Sequence, residues 1–360
     1  MDREGWQIFF GESLRTGYRF LASVVLYYIE YHEFEYRNDR LNVNKLKIYF
    51  LGSGEIAVPV LRVCSQTETI ELVGVGTQPD RVAGRRGKLV ATPVGRAAAE
   101  SGLNADKPES VNTPEFLTKL RSLAPDMVLV ISFGQLLREG LLSLPRLGCV
   151  NVHASLLPKY RGASPIVQAV LNRDASTGVC FMRMEKGLDT GAVYRTLEYP
   201  LDGSEYADAL EAKLGELAAA HTEETLNGIA AGKYLPVVQD EARATKCGKI
   251  RKDDSWIDWR RSAVEIDAMV RAYHPWPGAR CRMRRGTVES VLTLRRVEVR
   301  SDVSLAPGEV SVPDRKTLLA GCGDGALKIL EVTPENSKTM DAVSFLNGLR
   351  GEKIGFLPRE

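Results

Sequence analysis

The sequence predicts an α/β fold, with a doubly wound and mostly parallel sheet followed by a smaller C-terminal β-barrel. Strand-like and helix-like segments alternate from residue 45 onward, which is the pattern of a parallel sheet with helices on both faces. Residues 126–134 form a continuous apolar run, typical of a parallel strand that is covered on both sides. Beyond residue 255, short β-rich runs separated by turn residues favour a small barrel.

Length and composition limit the domain organisation. At 360 residues with 44% hydrophobic content, the chain is long enough for two domains with ordinary cores. A stretch of mixed charge with little periodicity follows residue 232 and predicts a linker. We therefore expect an N-terminal extension of undetermined status at 1–44, a first domain at 45–232, a linker at 233–254 and a C-terminal domain at 255–360.

Composition also bears on partners and compartment. Residues 20–29 are apolar but supply only about half of the ~20 residues that a membrane-crossing helix needs, so we expect no membrane partner. The six cysteines are scattered without a Cys-x-x-Cys pair, and only four histidines occur. Neither a disulfide framework nor a metal site is indicated, and this suits the reducing cytoplasm.

The first strand, predicted at 45–51, leads into a glycine turn that permits two interpretations. Residues 52–57 fit the G-x-G-x-x-A form of a phosphate-binding turn, and residues 70–76 are predicted as the second strand. An NAD-dependent dehydrogenase would begin in the same way. Its pattern requires a carboxylate at the end of the second strand, whereas Asp80 lies beyond a proline. The dehydrogenase therefore stays as the less favoured alternative.

Residues 78–90 are strongly basic and contain two glycines, so they cannot build a core. We predict an exposed, mobile loop that suits a phosphate-bearing partner. Residues 241–360 add to this tendency, since they hold 22 Lys and Arg against 17 Asp and Glu. The cations of the loop are Arg81, Arg85, Arg86 and Lys88.

Thr-Pro pairs mark the starts of two helices. The pairs at 92–93 and 113–114 each supply an N-cap and a first-turn proline, which predicts helices at 92–101 and 113–123. Residues 205–232 are rich in Ala, Leu and Glu and predict one long helix or a helical pair.

Residues 149–165 carry the side chains best suited to chemistry. Alternation at the strand-like beginning of this stretch places Asn151 and His153 on one face. Ser164 and Pro165 then supply an N-cap and a first-turn proline for a helix. In an open α/β sheet, ligands bind where a strand ends in this way. Asn can donate a hydrogen bond to a developing oxyanion, and His can do the same or move a proton.

Two more residues belong to the candidate reactive groups. Asp189 lies in a glycine-flanked loop at 186–191, after a strand predicted at 177–185. An isolated Asp before Thr-Gly is usually a turn residue, so its role stays open on spacing alone. Cys149 shares the face of Asn151 by strict alternation, so a thiol role also stays open.

The C-terminal region begins with a helix and continues in strands. Ser262 and Glu265 form a capping box that opens a helix to about Tyr273. The β-rich runs that predict the barrel follow at 287–300, 307–312, 316–321 and 326–333.

Two motifs in this order resemble a known enzyme family. Residues 151–166 resemble the signature of the folate-dependent formyltransferases, and residues 187–191 resemble that family's second motif. Residues 257–259 and 271–277 are similar to the C-terminal domain of the methionyl-tRNA formyltransferases. The resemblance extends over about 45–357.

The resemblance implies roles for individual residues. It implies that Asn151, His153 and Asp189 are catalytic, with Asp189 reaching the imidazole. It implies folate contacts, largely through backbone groups, at Ser155, Leu156, Leu157 and Pro158. It also implies tRNA contacts in the basic loop, where Arg85 matches the family's tRNA-contacting arginine and Arg81, Arg86 and Lys88 share the role.

The implied reaction moves a formyl group from 10-formyltetrahydrofolate to the α-amine of methionyl initiator tRNA, in a cytoplasmic monomer without a metal. Other formyltransferases would share the three catalytic residues and act on an amino sugar nucleotide, on glycinamide ribonucleotide or on another small amine. A non-catalytic RNA-binding module is the alternative outside enzymes. The basic loop and the C-terminal domain favour tRNA as the acceptor.

Overall fold

The computed structural model describes residues 45–83 and 87–358. The expectations for residues 1–44, and for Arg85 and Arg86, therefore lie outside the described residues.

The elements up to residue 247 alternate between strands and helices in the way that the sequence predicts. In chain order they are β1 (Leu46–Gly52), α1 (Ala57–Gln66), β2 (Ile70–Gly76), β3 (Arg81–Ala83), β4 (Lys88–Val90), α2 (Pro93–Glu100), β5 (Ala105–Asp106), α3 (Pro114–Leu123), β6 (Met127–Ile131), α4 (Glu139–Leu142), β7 (Cys149–His153), β8 (Arg161–Gly162), α5 (Pro165–Leu171), β9 (Ser176–Arg183), β10 (Val193–Pro200), α6 (Ala207–Ala230) and β11 (Lys246–Cys247).

The C-terminal elements are mostly strands. In chain order they are α7 (Ala263–Ala272), β12 (Ala279–Arg285), β13 (Val288–Arg300), β14 (Val310–Ser311), β15 (Leu318–Gly321), β16 (Ala326–Pro334), β17 (Met340–Asp341), α8 (Ala342–Leu349) and β18 (Ile354–Phe356).

The first sheet has seven strands in the order β10-β9-β7-β6-β1-β2-β5. Its strands are parallel except for β9, which runs antiparallel to both β7 and β10. All five residues of β6 are buried, as expected for a central strand that is covered on both faces. The two faces of the sheet pack into separate apolar clusters, with Val150 and Val152 of β7 in one and Cys149 in the other. The predicted doubly wound sheet is confirmed.

Of the N-caps predicted at Thr92, Thr113 and Ser164, the first two form. The Thr92 and Thr113 hydroxyls accept hydrogen bonds from Gly95 N and Phe116 N, at 2.9 and 3.3 Å, and fix the starts of α2 and α3. Ser164 precedes α5, but its side chain makes no capping hydrogen bond.

The glycine turn after β1 is explained by packing. A Cβ on Gly54 would lie 2.6 Å from Ser132 Oγ, so only glycine permits this close approach of the two loops. The Asp80 carboxylate lies 2.8 Å from Lys107 Nζ and is paired with this cation. The ion pair leaves Asp80 less available for a ribose, which disfavours the dehydrogenase alternative.

The second sheet is antiparallel and nearly closed. Six of its strands follow the order β14-β15-β16-β13-β12-β18, and β17 pairs with β16. Phe356 N donates a 3.1 Å hydrogen bond to Gly308 O, which links β18 to the loop before β14. The capping box of Ser262 and Glu265 is present at the start of α7. These features agree with the predicted barrel.

The structure differs from the sequence prediction in several places. The basic loop is flanked by a two-stranded hairpin, since β3 pairs with β4. Strands β10 and β12 were not predicted, and β10 extends the sheet beyond β9. The predicted linker contains β11, which pairs in parallel with β8 of the preceding domain. Hydrogen bonding to that domain therefore orders a stretch whose composition has no periodicity.

Candidate active site

Asn151 and His153 lie side by side at the carboxyl end of β7, near the middle of the first sheet. Asn151 lies between Val130 of β6 and Met182 of β9, and His153 lies opposite Cys180. Alternation along the strand buries the two valines on the other face, so the amide and the imidazole project together as predicted.

His153 is almost fully buried, and both ring nitrogens face polar groups. Nε2 lies 3.0 Å from Tyr160 O. Because a carbonyl oxygen can only accept, this contact assigns a proton to Nε2. Nδ1 lies 3.7 Å from Asp189 Oδ2, which is beyond direct hydrogen-bond length. The structure thus brings the two separate sequence motifs together.

The Asp189 carboxylate is fixed by the backbone of the central loop. Its Oδ2 accepts a 2.8 Å hydrogen bond from Gly162 N. Asp189 has a φ of 53°, a left-handed conformation that Asp adopts more readily than most residues. A Cβ on Gly191 would lie 1.9 Å from Arg183 O, so this loop packs tightly against the end of β9.

The Asn151 side chain is partly exposed. Its amide has no hydrogen-bond partner among the residues that the structure describes. The donor therefore remains available to a ligand beside the imidazole.

The predicted folate residues form a turn directly after His153. Ser155 is fully buried and its hydroxyl donates to Lys159 O at 2.6 Å, while Leu157 N donates to Cys180 Sγ at 3.4 Å. These bonds hold the turn against β9. The partly exposed side chains of the turn are Leu156, Leu157 and Pro158.

Cys149 shares the face of Asn151 but is not placed to react. Its side chain is buried in the cluster below the site, and Sγ lies 3.8 Å from Leu141 O. Burial raises the pKa of the thiol to about 12, so the nucleophilic thiolate is not populated near neutral pH.

Arg81 and Lys88 lie on the exposed hairpin of β3 and β4, away from His153 in the chain. Val82 and Leu89 pair across the hairpin and are 67% and 71% exposed. Apolar side chains are thus presented to solvent beside the cations. Arg85 and Arg86 belong to the residues that the structure does not describe.

A group of hydrogen bonds that support the loop of Asp189 was not predicted from the sequence. Arg161 is 3% exposed, and its guanidinium donates to Gln239 Oε1 and to both carboxylate oxygens of Glu241. The Gln239 amide donates to Asp189 O and Gly191 O at 2.8 and 2.7 Å. A charged residue inside a glycine-bearing motif was the available signal for Arg161. Gln239 carried none.

The described residues lack two other kinds of feature. They contain no group of three or more His, Cys, Asp or Glu side chains that could hold a metal ion. In the same part of the chain, no helix combines the length and apolarity needed to cross a membrane.

Two family models match the chain. The formyl transferase model matches residues 46–226, and the formyl transferase C-terminal domain model matches residues 249–350. The methionyl-tRNA formyltransferase of Geobacter sulfurreducens is 39% identical over 313 residues, covering 86% of this chain and 97% of that protein. The methionyl-tRNA formyltransferase of Methylococcus capsulatus is 38% identical over 312 residues, covering 86% and 100%.

The chain belongs to the methionyl-tRNA formyltransferase family. Formyltransferases carry out one-carbon formyl transfer.

Two solved structures share the fold. HypX from Aquifex aeolicus, in complex with tetrahydrofolic acid, aligns with a TM-score of 0.57 at 16% identity. The match covers 87% of this chain, which spans about half of HypX, 51%. The sugar 3N-formyl transferase WlaRD aligns with a TM-score of 0.58 at 16% identity, covering 82% of this chain and 100% of that one. At these identities the likeness extends to the fold alone.

Proposed function

We propose that the protein transfers the formyl group of 10-formyltetrahydrofolate to the α-amine of methionyl initiator tRNA. The observation that carries this proposal is the convergence of Asn151, His153 and Asp189 at the carboxyl end of β7. It occurs in a chain whose curated relatives are methionyl-tRNA formyltransferases along most of its length.

The neutral amine attacks the formyl carbon and gives a tetrahedral intermediate whose oxygen carries negative charge. The free Asn151 amide donates a hydrogen bond to that oxygen. The Nε2 proton of His153 is directed at Tyr160 O. In the proposed intermediate His153 donates this proton's hydrogen bond to the oxyanion instead, which is more negative than the carbonyl oxygen of Tyr160. Preorganised donors of this kind each contribute roughly 10²- to 10³-fold to the rate.

Asp189 positions the imidazole and takes part in removing the proton of the amine. Its separation of 3.7 Å from Nδ1 accommodates a bridging water, or direct electrostatic attraction when the imidazole carries a second proton. The intermediate then collapses: the carbonyl re-forms, the bond between the formyl carbon and N10 of the folate breaks, and N10 takes up a proton as tetrahydrofolate leaves. Neither a metal nor a covalent bond to the enzyme is needed for this sequence of steps.

The folate is held by the turn after His153 and by the loop after β6. Leu156, Leu157 and Pro158 offer a partly exposed apolar surface, which suits a flat heteroaromatic ring. Phe133 O lies at the carboxyl end of β6, where it accepts a hydrogen bond from Gln78 at 3.0 Å. Backbone groups of this loop are proposed to take part in holding the folate.

The tRNA is held at two places. Arg81 and Lys88, together with Arg85 and Arg86, contact phosphates near the acceptor end, and the C-terminal domain at 255–360 provides the second contact. The hairpin of β3 and β4 presents its two described cations to solvent, which supports the first contact. All proposed catalytic residues lie in one chain, so we propose a monomer. The six free, buried cysteines suit the cytoplasm as its compartment.

The test is formylation by the purified protein with 10-formyltetrahydrofolate and three acceptors in parallel: methionyl initiator tRNA, methionyl elongator tRNA and an amino sugar nucleotide. We expect a strong preference for the initiator, and an Asn151→Ala variant that loses roughly 10²-fold or more in kcat. Transfer to the amino sugar nucleotide alone would show that the acceptor is a sugar and not tRNA. Equal activity of the variant would remove the proposed oxyanion contact.

A further inference from the structure

We infer that residues 237–247, the stretch after α6, form a positioning element of the active site and that Gln239 is its central residue. The inference rests on the proposed function, because it concerns the placement of Asp189 and His153. We call this stretch the 237–247 segment.

The amide of Gln239 is held in one orientation by its three partners. Nε2 donates to Asp189 O and Gly191 O, and Oε1 accepts a 3.0 Å hydrogen bond from Arg161 Nε. Carbonyls only accept and a guanidinium only donates, so a flipped amide would lose all three bonds. Gln239 is 8% exposed, and water cannot readily replace these partners. The side chain therefore joins the loop of Asp189 to the loop that follows His153.

The same segment also holds the loop whose backbone contacts His153 and Asp189. Tyr160 O and Gly162 N are the backbone groups that contact His153 and Asp189. Their loop is hydrogen-bonded to the 237–247 segment on both sides of Arg161. These bonds join Tyr160 N to Thr245 Oγ1 at 2.8 Å, Arg161 N to Thr245 O at 2.9 Å and Ala163 N to Cys247 O at 3.1 Å.

The distance between imidazole and carboxylate thus depends on a segment outside both motifs. Displacement of Gln239 releases the carbonyls of Asp189 and Gly191, and the Asp189 side chain moves with them. Misplacement of a catalytic group by about 1 Å can cost ~10²-fold in rate. We expect a loss of this size in kcat, because substrate contacts are made elsewhere.

The first variants are Gln239→Leu and Gln239→Glu. Leu removes every hydrogen bond at similar volume. Glu keeps an acceptor for Arg161 but has no amide hydrogens for the two carbonyls. We expect both to lower kcat by ~10²-fold with KM for folate and for tRNA changed no more than about twofold.

Asn227→Leu is the matched control for lost stability. The Asn227 amide also donates two hydrogen bonds, to Thr69 Oγ1 at 2.8 Å and Glu223 O at 3.0 Å. Thr69 lies directly before β2, at the amino end of that strand, whereas the site lies at the carboxyl end of β7. We expect similar falls in melting temperature for Asn227→Leu and Gln239→Leu, but a nearly unchanged kcat for Asn227→Leu.

A second readout does not depend on activity. Among the four histidines, His153 is assigned in a ¹⁵N-histidine spectrum by comparison with His153→Gln. We expect both Gln239 variants to shift its imidazole ¹⁵N resonances, and Asn227→Leu to leave them in place.

Unchanged His153 resonances, or a kcat no lower than that of the Asn227→Leu control, would overturn the inference. A wild-type protein that transfers no formyl group, but whose His153 resonances still respond to Gln239, would reject the proposed function while retaining the positioning role.

Discussion

The Asp189 carboxylate is set in place by a hydrogen bond from a backbone amide. The carboxylate oxygen that accepts from Gly162 N is also the one nearest the imidazole. Its side chain is 13% exposed, so the charge acts on His153 with little screening by solvent. A substitution that keeps an acceptor for Gly162 N but removes the negative charge separates the hydrogen bond that holds the side chain from the effect of its charge on His153.

Asp189→Asn is that change. The amide oxygen can still accept from Gly162 N, so we expect a nearly unaltered melting temperature with kcat lowered by ~10²-fold or more, as the ring loses its charged partner. Steady-state kinetics and thermal unfolding check this. Asp202→Asn is the control, because Asp202 also accepts from a backbone amide, Ser204 N at 2.8 Å, on an exposed turn. Equal kinetics for the two variants would contradict the assigned role.

Single residues differ in how far sequence alone reveals them. Asn151 and His153 are two positions apart on one strand, so alternation was enough to place them together. The approach of Asp189 depends on the pairing of β9 with β7, and only family resemblance indicated it. Gln239 acts through backbone carbonyls, which any sequence supplies, so nothing in its own neighbourhood predicts its partners.

The short strands β8 and β11 form the element that places the central loop against the 237–247 segment. Gly162 has a φ of 127°, and a Cβ there would lie 2.0 Å from Cys247 O. The close pairing of the two strands is therefore possible only with glycine at this position.

Gly162→Ala should displace β11 from β8. We expect a loss of at least ~2 kcal/mol in the free energy of unfolding, from backbone strain together with the clash, and a fall in kcat. Urea unfolding and kinetics measure both. Gly148→Ala is the control, because Gly148 also has a positive φ, 75°, but has nothing within 4 Å of an added Cβ. It should cost only ~1 kcal/mol. Equal losses for the two variants would mean that the pairing is not close.

The hairpin of β3 and β4 is expected to act through charge. Arg81→Ala and Lys88→Ala should raise KM for tRNA and leave KM for folate unchanged. Each lost phosphate contact should reduce the slope of log KM against log salt by about one. Arg62→Ala, at an exposed position on α1, is the control. An unchanged salt slope in both hairpin variants would show that these cations do not meet the tRNA.

Helices and strands were predicted well where the sequence has one clear hydrophobic pattern or capping signal. The buried run of β6 and the capped helices α2 and α3 were recovered because each depends on its own residues. In β12, buried Ala279, Cys281 and Met283 alternate with arginines, and this strand was not predicted. Strand β11 has two residues and exists only through its partner β8.

At the scale of the whole molecule, the two sheets meet around α5 and the start of α6. Val167 and Leu171 of α5 pack against the core of the C-terminal domain. Arg271 of α7 is 6% exposed and donates to Glu205 O at 3.2 Å. Both sheets were predictable from their own patterns. Their contact was not, because it depends on surfaces that form only after each has folded.

Acid stability tests a contact that joins α6 to β10 and to the loop that follows α6. Hydrogen bonds from Tyr234, Arg195 and Lys233 lower the pKa of Glu224 from 4.5 to about 2. The folded state therefore favours the carboxylate, so its stabilisation is complete above the unfolded pKa and is lost as pH falls through about 2.

We expect the difference in melting temperature between wild type and Glu224→Gln to be largest above pH ~5 and to vanish near pH ~2. Thermal unfolding across this range measures it. Glu216→Gln, on an exposed position of the same helix, should show no such dependence. The same pH profile for both variants would contradict the assignment.

The position of the 237–247 segment in the chain has a consequence for synthesis. Gln239, Thr245 and Cys247 follow residue 191, where the second motif ends, by 48 to 56 residues. At a translation speed of ~5–20 residues per second, roughly 3 to 11 s separate the completion of the motifs from that of their support. During this interval the nascent chain carries His153 and Asp189 without the hydrogen bonds from the 237–247 segment that fix their backbone contacts. The proposed active site is therefore completed only after this segment has been synthesised.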